Sequence, residues 1–165
     1  MKKNIFLAFS IVFLSCSDGD LQIETLDFDS IAIQNCDALT TATEVLFKID
    51  GDEALILDLQ TGLLQNEVST TAIESTISSQ SRLIYRVFSN NVSTSYFCDD
   101  FPPSEPKVTE EIEAESGTVL ITTTSEDNIT FTHTIQLQDI ILRNASGESI
   151  IDLTINDFGT IETSN

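Results

Sequence analysis

Val45-Leu46-Phe47-Lys48-Ile49-Asp50-Gly51-Asp52-Glu53-Ala54-Leu55-Ile56-Leu57-Asp58-Leu59 is the stretch on which the fold turns. Val45, Phe47 and Ile49 occupy alternate positions, so they share one face of an extended strand. Asp50-Gly51-Asp52 then supplies a turn, because Asp and Gly tolerate the positive φ of tight hairpins. Ala54 to Leu59 returns as a strongly apolar strand. Two strands joined by an Asp-Gly turn predict an antiparallel hairpin.

The same period extends to both sides. Upstream, Leu26, Phe28 and then Ile31, Ile33 alternate with polar residues, with a change of phase at Asp29-Ser30 that predicts a bulged strand. Downstream, residues 61–81 are rich in Ser and Thr, and Ile73 and Ile77 stand four apart; β-prone Thr and Ile favour strand over a short helix. Leu83 to Phe88 reads as a strand. Val108–Ala114 and Val119–Thr124 read as two strands around Ser116-Gly117. Asn128–Arg143 reads as one long strand that slips phase at Asp139-Ile140, and Ser149–Ile155 closes the set, with Phe158 and Ile161 adding an edge. About eight strands with turns every 8–15 residues predict an all-β domain: a single antiparallel β-sandwich, or alternatively a closed β-barrel. The stretches 26–35 and 135–144 share an alternating pattern with a slip and a final Asn. That echo admits a duplicated half or two bulged strands of one sheet.

Residues 89–107 form the main irregular connection. All the prolines, Pro102, Pro103 and Pro106, lie here and exclude helix and central strand locally. Tyr96, Phe97 and Phe101 make this loop the candidate binding element, since recognition concentrates on loops held by a rigid scaffold. The alternative is that these rings cap the core.

The N-terminus carries an address. Lys2 and Lys3 precede an apolar run, Ile5 to Leu14, broken only by Ser10. As a helix it would reach about 15 Å, half of a hydrocarbon core, which is the length of a signal-peptide core and not of a span. The run ends in Phe13-Leu14-Ser15-Cys16. This resembles the lipobox of bacterial lipoproteins, in which a small residue precedes a cysteine that is lipidated and becomes the first residue of the mature chain; Phe13 stands where Leu is usual. The resemblance implies cleavage before Cys16 and a lipid anchor on it. Ser17-Asp18-Gly19-Asp20 is similar to the acidic export signal that sends some Gram-negative lipoproteins to the outer face of the outer membrane, with Gly19 interrupting the acidic run. The expected organisation is a signal at 1–15, a lipidated tether at 16–22 and one β domain at 23–165.

Removing the signal takes Lys2 and Lys3 away, so 27 acidic residues stand against Lys48, Arg82, Arg86, Lys107 and Arg143, a formal charge of −22. Neutralising phosphates needs a cationic stripe, which this composition does not offer, so no nucleic-acid partner is expected. The expected partners are the membrane, through the N-terminal lipid, and a surface glycan or an envelope protein. With Cys16 lipidated, Cys36 and Cys98 remain in an oxidising compartment, where two leftover cysteines pair.

The candidates for chemistry are few. His133 is the only histidine, and its alternation with Phe131, Ile135 and Leu137 predicts a core-side, structural role. Any imidazole-based catalysis would need it, and no nucleophile motif accompanies it. Zinc would need Cys36, Cys98, His133 and a carboxylate at no recognised spacing, so no metal site is assigned. Glu111, Glu113 and Glu115 share a strand face about 6–7 Å apart, a separation found between inverting-glycosidase carboxylates; a solvated acidic face is the simpler reading. Asp50-Gly51-Asp52-Glu53 and Asp99-Asp100 put oxygen ligands in turns and would admit calcium, without the spacing of an EF-hand loop. No cofactor is expected beyond that. The leading expectation is a non-enzymatic binding module, with an acidic-residue hydrolase or a structural envelope component as alternatives.

Overall fold

The computed structural model describes residues 26–144, 149–150 and 156–164. The signal, Cys16 and the tether lie outside the described residues. Among the described residues, eight strands and one short helix follow in the order β1 (Val45–Asp50), β2 (Glu53–Asp58), β3 (Ile73–Thr76), β4 (Arg82–Phe88), α1 (Thr94–Cys98), β5 (Val108–Thr124), β6 (Thr130–Arg143), β7 (Ser149–Ile150) and β8 (Asp157–Ser164). Every strand pair is antiparallel, in the order β1-β2-β4-β5-β6-β7, with β3 also on β5 and β8 also on β6.

The all-β antiparallel expectation holds, and the sheet is open, so the closed barrel does not describe the arrangement. The strands form one sheet curled into an open half-barrel. The reason lies in two long strands, β5 of 17 residues and β6 of 14. β3 and β4 share one flank of β5, and β7 and β8 share the outer flank of β6. The sheet therefore bends instead of splitting in two. The bend is marked by residues at positive φ on neighbouring strands: Gly117 at +140° in β5, Asp139 at +54° in β6, and Ser78 at +76° between β3 and β4. Pairing shifts register around Ser116, and the Ile77 amide donates to the Gly117 carbonyl at 2.9 Å. Gly117 thus sits in a bulge within one strand, where the sequence suggested two strands around Ser116-Gly117. The phase slip at Asp139-Ile140 is real and has the same origin.

The predicted hairpin forms as β1 and β2, paired from Val45↔Asp58 to Asp50↔Glu53, with Gly51 at φ +59° in the turn. Residues 26–35 depart from expectation. They form no ladder; only Gln34 bridges to Phe47 of β1, through bonds of 2.7 and 2.9 Å. Leu26 and Phe28 are nevertheless buried, and Ile31 and Ile33 pack on the main core. The Lys48 ammonium, itself buried, donates to the Phe28 carbonyl at 2.7 Å and stands 5.3 Å from the centre of the Phe158 ring of β8. On β8, a Cβ added to Gly159 would come within 3.0 Å of Ile33. The segment thus touches both outer lanes of the sheet and lies across the half-barrel's open side. Its likeness in sequence to 135–144 is not a likeness in structure, because residues 135–143 belong to the bulged but laddered β6, so duplication is not supported.

The main core gathers Leu55, Leu57, Leu83, Tyr85, Ile121, Ile135 and Leu137 on one face of the sheet. A second cluster of Phe47, Ala54, Ile56, Ile84, Phe88 and Val92 lies on the opposite face of β1, β2 and β4, with Tyr96 and Phe97 packed on it. That is why β2 reads as a continuous apolar run: both of its faces are covered.

Candidate recognition loop

The loop from Ser89 to Lys107 is closed at its root, where the Ser89 amide donates to the Lys107 carbonyl at 2.8 Å and the Lys107 amide to Ser89 Oγ at 3.0 Å. The Val92 amide donates to the Gly51 carbonyl at 2.9 Å, which ties the loop to the β1–β2 turn. The one-turn helix α1 was not expected from sequence. Its first turn has no side-chain cap, and its stability comes from what it touches. Phe97 stacks on Phe47 with ring centres 4.5 Å apart, and Tyr96 meets Phe88 edge-on at 4.9 Å. Thr94 Oγ1 donates to Gln34 Oε1 at 2.6 Å. Cys98, the last residue of α1, forms the expected disulfide with Cys36, with Cα atoms 5.1 Å apart.

The three aromatic candidates therefore divide. Tyr96 and Phe97 are half-buried and hold α1 to the sheet, whereas Phe101 is 90 % exposed. It stands between the exposed Asp99-Asp100 pair and the exposed Pro102-Pro103-Ser104-Glu105 run. On the Cys36 side of the disulfide a hollow of about 300 Å³ opens, lined by Asn35, Asp37, Thr40, Glu44 and Val45. Val45 is another exposed apolar residue, at 47 %.

The other candidates are placed as follows. Glu111, Glu113 and Glu115 each meet an arginine from a neighbouring strand: Arg86 at 2.6 Å, Arg82 at 2.8 and 3.0 Å in a two-point contact, and Arg143 at 2.9 Å. The sequence shows the three glutamates on one face but not their partners, which come from β4 and β6. The hydrogen bonds from Arg82 and its charge hold the Glu113 carboxyl below the usual carboxylate range, opposite to what a general acid needs. Glu53 accepts from the Tyr85 hydroxyl at 2.7 Å. Among the described residues no three His, Cys, Asp or Glu side chains are gathered so as to hold a metal ion. The disulfide takes up both cysteines that a zinc site would have used. His133 is fully buried between Thr123 and Thr163. No helix among the described residues is long and apolar enough to cross a membrane. Comparison of the chain with protein-family models, with curated proteins and with solved structures found no match.

Proposed function

We propose that this chain is a lipid-anchored, non-enzymatic binding module of the Gram-negative outer membrane, and that the Ser89–Lys107 loop performs its recognition. The observation that carries the reading is the contrast within the loop. Its root, its helix and its cysteine are tied down, while the Phe101 ring stands almost wholly in water. Leaving a Phe side chain exposed forgoes about 1.5–3 kcal/mol of burial, and a ring on a tethered, proline-stiffened segment loses little entropy when a ligand covers it. The Cys16 anchor and its export signal support the location, and the acidic charge favours a glycan or an envelope protein over any polyanion. A hydrolase would need a carboxyl group with a raised pKa in a cleft, and the glutamates that prompted that alternative are each engaged by an arginine.

The test uses the full chain. Cys16→Ser should leave the precursor uncleaved or release the protein from membranes. Detergent-solubilised wild type and Phe101→Ala are then compared on a panel of bacterial surface glycans and purified envelope proteins. Binding that is lost in Phe101→Ala at an unchanged melting temperature supports the reading; full binding by Phe101→Ala rejects the loop as the recognition element.

A further inference from the structure

His133 of β6 is the centre of a chain of side-chain hydrogen bonds that leaves the sheet. Thr123 of β5 lies 2.9 Å from its Nδ1, and Thr163 of β8 lies 2.8 Å from its Nε2. The Thr163 hydroxyl donates to Asn66 Oδ1, in the connection between β2 and β3. Three residues on, the Ser69 amide donates to the Thr123 carbonyl at 3.0 Å, and the Thr123 amide to Ser69 Oγ at 2.8 Å. Leu63 and Leu64 of the same connection are buried in the main core.

With Asn66 Oδ1 as the acceptor at the end of the chain, the order of protons follows. The single Thr163 hydroxyl proton goes to Asn66, so Thr163 Oγ1 must accept from His133, and Nε2 carries the ring's hydrogen. In the neutral ring Nδ1 is then an acceptor, and the Thr123 hydroxyl donates to it. A second proton on the ring would make Nδ1 a donor and force Thr123, itself fully buried, to turn its own proton away. We propose that this chain is an acid-sensitive latch that holds the 63–69 segment against β5, β6 and β8.

The surroundings give the latch its sign. Among the described residues the ring's hydrogen-bond partners are the Thr123 hydroxyl of β5 and the Thr163 hydroxyl of β8, Thr123 and Ile161 stand opposite His133 in register, and Phe131 and Ile135 flank it on the same face of β6; all are uncharged. Glu67 and Glu162, beside Asn66 and Thr163 in sequence, are both exposed. With no carboxylate to steady the imidazolium, burial pushes the His133 pKa below its ordinary value. Opening the segment lets water reach the ring and moves it back toward its ordinary value, at most about 6.5. The latched state thus has the lower pKa. Its advantage is complete above about pH 6.5 and is lost as the pH falls through the lowered value, by up to about tenfold in the opening equilibrium per pH unit.

Amide hydrogen exchange on the full chain, expressed as protection factors between pH 7 and pH 5, reads this directly. Protection of the Ser69 and Thr123 amides should fall with acid, by up to about tenfold per unit, while that of the Leu46 and Lys48 amides in β1 stays level. His133→Gln should remove the pH dependence at Ser69. If that variant does not fold, Thr163→Val keeps the imidazole and cuts its link to Asn66, so Ser69 should exchange fast at every pH. A fall shared equally by β1, constant protection at Ser69, a His133→Gln protein that keeps the pH response, or a Thr163→Val protein with wild-type protection would each overturn the latch.

Discussion

Gly117 holds a backbone angle of φ +140° with a neighbouring strand pressed against it. A Cβ there would run into Ile140 and come within 3.2 Å of the Gln138 carbonyl. Gly117→Ala should therefore cost about 1–3 kcal/mol, read as a melting temperature several degrees lower; a wild-type melting curve would mean that the bulge relaxes freely. The same residue shows where sequence reasoning stops. A glycine after Ser116 suits a turn or a bulge equally, and what decides is the β6 backbone, more than twenty positions away. Asp139 is legible, because the alternation around it reverses phase. Lys48 is not: it occupies the polar position of an alternating strand, and only the carbonyl of Phe28 explains why its ammonium is inside. Burial lowers its pKa, against the pull of Asp29, Asp157 and Asp27.

Among elements, β1, β2, β4 and β6 are legible because their alternation or apolar run matches the burial they acquire. The 26–35 segment has the same alternation and buries its apolar residues, yet pairs only at Gln34; periodicity reports which side chains go inside, not whether a ladder forms. The helix α1 leaves no periodic trace in five residues and exists through Phe47, Phe88 and Cys36. Of the candidate site, the loop, its aromatic residues and its disulfide can be read from sequence, whereas the division of labour between Phe97 and Phe101 depends on contacts with β1. Phe97→Ala should destabilise the domain by about 1–3 kcal/mol, less than a fully buried Phe→Ala, while Phe101→Ala should stay within about 0.5 kcal/mol. Thermal unfolding of the two variants side by side checks this, and equal losses would place Phe101 in the core. Reduction of the disulfide should remove about 4 kcal/mol on the chain-entropy account.

For the molecule as a whole, an alternating pattern fixes neither which strands share a flank nor how far a sheet curls, so sandwich, barrel and half-barrel look alike in the sequence. Charge is legible in sum, with a formal net of −20 for the full sequence, but its pairing into the Arg82, Arg86 and Arg143 contacts is not. Those exposed ion pairs are worth about 0–1 kcal/mol each, and the remaining acidic residues repel one another. Raising ionic strength from about 0.01 to 0.15 M shortens the screening length from about 30 to 8 Å, and should raise the melting temperature; a fall would show that the arginine contacts outweigh the repulsion. The disulfide has one more consequence at this scale. With the anchor at Cys16 as proposed, two covalent routes join the membrane to Phe101. The longer runs through residues 37–97 and the whole of β1 to β4; the shorter leaves the backbone at Cys36 and re-enters it at Cys98. Tension between the membrane and a captured ligand follows the shorter route, so the hairpin and β4 stay slack however hard the complex is pulled. Only the contacts of the segment before Cys36 can peel. Breaking the crosslink would feed roughly 200 Å of hidden chain into the line, turning a short stiff tether into a long compliant one.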